Sequence, residues 1–486
     1  MSIEPHKVDV DLKKVQSFRA GLAKEHQSLT NLGMAIIFLV LVLLYAAFAQ
    51  GNGHLGMFVV AAAVVGAYMA MNIGANDVAN NIGPAVGSRA MTMVGALIIA
   101  AIFEASGALI AGGDVVSTIQ KGIIDPKGVE DKMVFIWAMM SALLAAALWL
   151  NLATWFGAPV STTHSIVGGV VGAGIAAAGA SSVDWVKMGA IVASWVISPL
   201  MGGLIAAGFL LFIKKMILFK EDKLAASRTW VPVLVAIMTG AFAMYLVMKG
   251  LKHIWHAGPG MLWLIALGTA AITWVITRPV IAGACRGLEN RRKSVATLFT
   301  IPLIGSAALL SFAHGANDVA NAVGPLAAIV TAATGTVAGT AKIALPFWVM
   351  VIGALGISIG LMLFGPKLIR TVGEKITKLN QMRAFCVALS AAITVIAASW
   401  LGLPVSSTHI AVGGVFGVGF LREYLSNNSN GNTKKLSPNV ARTRERRRLV
   451  RRRELLTIVA AWVITVPVSA LVSAALYLAL YHTFEG

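Results

Sequence analysis

Gly74 to Pro84 reads GANDVANNIGP and Gly315 to Pro325 reads GANDVANAVGP, so one polar cluster occurs twice in the chain, 241 positions apart. Each copy sits in a strongly apolar stretch. Hydrocarbon rejects a carboxylate and two amides unless they face a protein interior or a water-filled cavity. Placed once in each half of a membrane chain, such a cluster points to a substrate or ion site shared by two structural repeats.

Composition sets the class. The 486 residues are 58% hydrophobic and 12% charged, with a mean hydropathy of +0.81, which excludes an ordinary soluble domain. Runs free of Asp, Glu, Lys and Arg extend from His26 to Asn76, Met133 to Val183 and Leu455 to Phe484, each long enough for one or two helices at roughly 20 residues per span. The runs are continuous rather than alternating, which favours helices over a β-barrel. Expected spans lie near 33–50, 55–72, 93–113, 133–154, 158–178, 187–213, 230–250, 261–282, 296–313, 344–365, 384–400, 403–421 and 455–480. The polar N-terminus, MSIEPHKVDV, does not resemble a cleaved signal peptide. Cys285 and Cys386 form no motif.

The net charge of +19 comes from the loops. Arg422, Lys434, Lys435, Arg442, Arg444, Arg446, Arg447, Arg448, Arg451, Arg452 and Arg453 face only Glu423 and Glu445 in that segment. In short loops this excess marks the cytoplasmic side and suits anionic headgroups. No stacking aromatics are interleaved, so nucleic acid is not the expected partner. Alternating sides from a cytoplasmic N-terminus puts every strongly basic loop in the cytoplasm and the C-terminus outside. The expected location is the plasma (inner) membrane, and the sequence is compatible with a homodimer.

A second element also recurs. GAPVSTTHSIVGGVVG, Gly157 to Gly172, returns as GLPVSSTHIAVGGVFG, Gly402 to Gly417, and Trp195-Val-Ile-Ser returns as Trp462-Val-Ile-Thr. The expected organisation is a cytoplasmic tail over 1–31, an extra helix over 32–54, a first repeat over 55–213, a two-helix connection over 214–295, and a second repeat over 296–482 with a basic loop at 422–454. Loop charge tells parallel from inverted repeats. Lys367 to Arg383 carries five basic residues and one Glu, whereas the matching Asp114 to Lys132 carries three Lys and four acids. Equivalent loops therefore lie on opposite faces, the mark of inverted topology. The fold class is an all-α polytopic membrane protein of 12–13 transmembrane helices in two inverted repeats with broken helices.

GANDVAN has the form of a helix interrupted at mid-membrane. Gly74 and Gly315 permit a break or a close backbone approach, and Pro84 and Pro325 follow. Asp77 and Asp318, with Asn76 and Asn317, supply hard oxygen ligands for Na⁺, and the aspartates could instead carry protons. Asn80 and Asn321 complete each cluster and are expected among the substrate-binding side chains. PVSTTH and PVSSTH place Pro159 and Pro404 at a helix start, where unpaired N–H groups and the positive dipole end meet hydroxyls. Ser161, Thr162 and Thr163 with Ser406, Ser407 and Thr408 form an anion cradle that lacks a fixed positive charge. Glu104 stands alone in the run Met93 to Gly113 as a further cation ligand or proton carrier, with no acidic counterpart near Gly353. His164 and His409 read as structural hydrogen-bonding residues, and Arg89 as an interfacial, snorkelling side chain. There is no Walker loop, His-x-x-x-His pair or nucleophile elbow, so neither an enzyme nor an organic cofactor is expected.

The paired GANDVAN elements, each followed by P-V-S-[ST]-T-H, resemble the inorganic phosphate transporter (PiT) family, and IFEASGA around Glu104 is similar to that family's IFE-type segment. The resemblance implies secondary transport of inorganic phosphate coupled to Na⁺ or H⁺, with each GAND aspartate and each PVSTTH hydroxyl run at the site. It leaves open the coupling ion and whether phosphate travels free or as a metal complex. A sulfate permease on the same scaffold and a passive anion channel stay as alternatives. The tail before Leu32 and the helix near 33–50 precede the family's usual first span.

Overall fold

A long apolar run in hydrocarbon must satisfy its own backbone, and an α-helix does so within one segment. The computed structural model describes residues 7–50, 54–121, 123–124, 131–250, 257–334, 346–371, 379–428 and 452–485. The loop charges within 125–130, 372–378 and 429–451 lie outside the described residues. The helices are α1 Lys7–Gln50, α2 His54–Gly87, α3 Met93–Ala111, α4 Gly113–Lys121, α5 Lys132–Phe156, α6 Thr162–Ala178, α7 Trp185–Ile213, α8 Lys223–Tyr245, α9 Pro259–Ala284, α10 Arg292–Leu298, α11 Thr300–Ala333, α12 Phe347–Thr371, α13 Gln381–Trp400, α14 Ser407–Asn428 and α15 Arg452–Phe484. Polar side chains start several of them. Thr92, Asp131, Asp184, Asp222 and Asn380 each accept a first-turn backbone N–H.

Every expected span coincides with a helix. Among the described residues ten are long and apolar enough to cross a membrane, and the bent pair α10–α11 makes eleven. The remaining two, α6 and α14, begin at the buried hydroxyls of the PVSTTH elements, so each folds back on the preceding helix as a hairpin. The segment before Leu32 is helical from Lys7 and continuous with the first span. This helix leans on α2 and α12, where Asn31 Nδ2 donates to the Leu363 carbonyl at 2.6 Å.

One expectation fails. Neither GANDVAN copy interrupts its helix, because α2 and α11 run unbroken through Asp77 and Asp318. The glycines serve close approach instead. A Cβ on Gly74 would lie 2.0 Å from the Ile357 carbonyl oxygen, and one on Gly315 would lie 2.0 Å from that of Glu104. The breaks fall before the PVSTTH elements, where Gly157 (φ 70°) and Gly402 (φ 68°) take the left-handed conformation that ends α5 and turns the chain after α13.

Partner exchange relates the two halves. The pairs α2 with α12, α6 with α15, and α5 with α15 are matched by α11 with α3, α14 with α7, and α13 with α7. Helix α2 meets α11 directly. Gly360 on Met71 O and Gly107 on Phe312 O repeat the crossing seen at Gly74 and Gly315, each at 2.0 Å. This register pairs Glu104 with Ile357, four residues beyond the position the sequence suggests. With the α5–α6 hairpin entering and leaving on one face, five spans among the described residues (α2, α3, α7, α8 and α9) separate the start of α2 from that of α11, so the copies enter from opposite faces. Polar groups collect inside, while α9 and α7 turn Trp263, Leu264, Leu267, Val275, Val196 and Leu204 outward, as a lipid-facing surface requires.

Candidate functional site

The swapped packing brings four elements together at the centre: the middles of α2 and α11 and the first turns of α6 and α14. Asp77 and Asp318 are fully buried, as are Asn76, Asn80, Asn317 and Asn321. Each Asn one position before the aspartate secures a hairpin end. Asn76 Nδ2 donates to Thr154 Oγ1 at 3.0 Å, and Asn76 Oδ1 accepts from the Val160 N–H at 3.3 Å. Asn317 repeats this with Ser399 Oγ at 3.0 Å and the Val405 N–H at 3.4 Å.

The hydroxyls cross between repeats. Thr162 Oγ1 donates to Asp77 Oδ2 at 2.9 Å and lies 3.4 Å from Asp318 Oδ2. Thr408 Oγ1, from the other half, donates to Asp77 Oδ1 at 3.1 Å and accepts from Asn80 Nδ2 at 2.8 Å. Ser407 Oγ reaches Asp318 Oδ2 at 3.3 Å, and Asn321 Nδ2 donates to Thr162 and Thr163, each at 3.2 Å. Neither half holds a site alone. Ser161 and Ser406 act as N-caps, accepting from the backbone N–H of His164 at 3.1 Å and of His409 at 3.3 Å. The two histidine rings meet edge to face across the repeat boundary, 4.4 Å between centroids, with Trp195 3.9 Å from His164. These ring contacts give both histidines a packing role. Arg89 is exposed beyond the end of α2.

Sequence reasoning missed His314. Its Nε2 lies 3.0 Å from Asp318 Oδ2 and 3.5 Å from Asp77 Oδ2, and its Nδ1 lies 3.1 Å from Glu104 Oε2. Glu104 Oε1 accepts from Asn81 Nδ2 at 2.8 Å. A histidine embedded in an apolar run was the visible signal, but it is unduplicated: Ile73 fills the matching place. Asp77, His314 and Asp318 present ligand atoms all within 4.8 Å of one another. Asp318 Oδ1 and Asn321 Oδ1, one helical turn apart, accept no hydrogen bond among the described residues. Two such buried oxygens suit a desolvated cation.

A helix-terminal hydroxyl cradle set against buried carboxylates and built from two exchanged halves can hold an anion and a cation side by side. The model of the phosphate transporter family matches residues 73–473. The chain belongs to this family. A Helicobacter pylori (strain J99) chain carrying the provisional name phosphate permease is 46% identical, covering 97% of this chain and 99% of that one. One from Pyrococcus abyssi, similarly named, is 38% identical over 85% of this chain and 96% of its own length. A solved structure of a sodium-dependent phosphate transporter superposes with a TM-score of 0.77 at 36% identity, covering 88% of this chain and 99% of that one. The family's phosphate transport and the multi-pass helical architecture thus agree in this chain.

Proposed function

We propose that this member of the phosphate transporter family imports inorganic phosphate by symport with Na⁺ through alternating access. The observation carrying this reading is charge. Asp77, Asp318 and Glu104 converge on a single imidazole, His314, so with all three carboxylates ionised the pocket is at least two negative charges from neutrality. An anion about 4 Å from one uncompensated carboxylate meets roughly 4 kcal/mol of repulsion at an effective dielectric of 20. Phosphate therefore enters favourably only with cations, and that requirement is the coupling. Likeness to a sodium-dependent transporter favours Na⁺ over H⁺ as the coupling ion.

In this reading Thr162, Thr163, Ser407 and Thr408, with the first-turn N–H groups of α6 and α14, bind phosphate. Ser161 and Ser406 hold those turns in shape, and Asn80 and Asn321 orient the hydroxyls. Asp77 and Asp318 hold the cation, Asn76 and Asn317 tie the hairpin ends beside them, and Glu104 acts through His314. The open oxygens Asp318 Oδ1 and Asn321 Oδ1 make the second half the tighter cation ligand set. A protonated phosphate oxygen can also donate to a carboxylate, which a sulfate dianion cannot. The basic loops set the N-terminus in the cytoplasm and the C-terminus outside.

Reconstituted vesicles given a Na⁺ gradient and a H⁺ gradient separately test the proposal. Labelled phosphate accumulates on the Na⁺ gradient and is not displaced by equimolar sulfate. Movement that never exceeds equilibrium makes the chain a passive pathway, and accumulation on the H⁺ gradient alone replaces Na⁺ by protons.

A further inference from the structure

Two lysines outside both repeated motifs meet corresponding points of the two hairpins. Lys249 Nζ donates to the Trp400 carbonyl at 3.3 Å, and Lys367 Nζ donates to the Trp155 carbonyl at 2.8 Å. Trp155 and Trp400 hold matching places, TWFGAP and SWLGLP, at the ends of α5 and α13. The capping N–H groups there return to Ala153, Thr154, Ala397 and Ser399, so an ammonium satisfies a carbonyl left over at a negative dipole end.

The contacts join different parts of the molecule. Lys367, on α12, ties the second half to the first half's hairpin. The place matching Lys367 in the first half is Asp114, by the register that pairs Gly107 with Gly360. Asp114 binds Lys249, which is carried by the π-helical turn Leu246–Gly250 at the end of α8. Where the second half uses a lysine directly, the first half uses an acid and borrows a lysine from the connecting segment. In both cases the clamped carbonyl follows directly after Thr154 or Ser399, the residue that accepts from Asn76 or Asn317 beside the site aspartates.

Building on the alternating-access reading, we propose that Lys249 and Lys367 are positioning residues that latch the outer and inner gates. Each pins a hairpin end whose release opens the site to one side only, and the neighbouring Thr154 or Ser399 reports the occupancy of the aspartate below to that latch. Both contacts are made in this structure, over site aspartates that are buried. Lys249 is shielded, its side chain 8% exposed, whereas Lys367 is exposed, so water competes with the inner latch and not with the outer one.

Labelling with a membrane-impermeant maleimide tests this in the full chain, with the buried Cys285 and Cys386 replaced by Ser. Val405→Cys reports the outer path and Val160→Cys the inner path. Lys249→Met raises labelling of Val405→Cys from outside by about tenfold, the shift one charge-assisted hydrogen bond produces, and leaves Val160→Cys unchanged from inside. Lys367→Met does the reverse, by a smaller factor. Asp114→Lys combined with Lys249→Met restores the closed outer path, because position 114 then acts as position 367 does. Equal rises at both reporters indicate loosened structure and overturn the latches, as does no rise. Failure of wild-type protein to accumulate phosphate on Na⁺ sinks the symport reading alone, because the directional labelling still decides the latches.

Discussion

The two halves of the site are alike where they hold hydroxyls and unlike where they hold charge. Around Asp77 both carboxylate oxygens are met, Oδ2 by Thr162 and Oδ1 by Thr408. Around Asp318, Ser407 and Thr162 meet only Oδ2; Thr163, the counterpart of Thr408, instead donates to the Val405 carbonyl at 3.0 Å. The helix crossing that carries His314, Glu104 and Asn81 on one side carries Ile73, Ile357 and Ala322 on the other. Duplication thus built the hydroxyl cradle twice, while one copy alone acquired a charged support. This asymmetry leaves Asp318 Oδ1 and Asn321 Oδ1 of the second half without a hydrogen bond among the described residues, while the first half holds a carboxylate bonded at both oxygens.

The comparison breaks first at the aspartates. Asp318→Asn and Asp77→Asn each reduce concentrative phosphate uptake by about a hundredfold or more, the usual consequence of removing one partner from a buried charged network. They differ in Na⁺ dependence. Asp318→Asn raises the Na⁺ concentration needed for residual transport more than Asp77→Asn does, and equal shifts would mean that the open Oδ1 carries no cation.

Next come the crossing glycines. Gly74→Ala and Gly315→Ala each set a methyl group 2.0 Å from a carbonyl oxygen, an overpacking cost of about 1–3 kcal/mol, seen as a lower melting temperature in detergent. The losses of stability should match. Gly315→Ala should cost more transport, since the carbonyl it displaces belongs to Glu104, whereas that facing Gly74 belongs to Ile357.

The charged support itself predicts an effect of about tenfold. Glu104→Gln weakens a charge-assisted contact with His314 of the kind worth roughly 1.5–3 kcal/mol, and His314→Gln removes the same contact. Phosphate uptake in the double variant should fall no further than in the worse single variant, because contacting residues are not additive. Additive losses would separate the two residues into different steps.

Much of this was legible in the chain. Polar letters repeated in apolar runs marked the residues that the fold brings together, and the PVSTTH duplication marked the two hydroxyl-bearing helix starts that meet them. Repeat symmetry hid the rest. His314 has no second copy, so a reading built on duplication passed over it. The glycines of GANDVAN looked like breaks because composition cannot tell a residue that frees the backbone from one that admits a neighbour's backbone. The left-handed Gly157 and Gly402 carried the true break, four residues before Ser161 and Ser406.

The smallest effects test where the halves should be equal. Thr154→Val and Ser399→Ala each remove one neutral hydrogen bond from an Asn beside a site aspartate, a loss near 1 kcal/mol or about fivefold. If the hairpins are equivalent gates, phosphate affinity falls by the same factor in both variants, while the two variants bias labelling of the site toward opposite faces of the membrane. A matched fall in affinity with opposed labelling keeps the cradle symmetric and the gates inverted. A fall in Ser399→Ala alone would mean that the asymmetry begun at His314 reaches as far as the hairpins, and that the first half serves mainly as a fixed wall against which the second half moves.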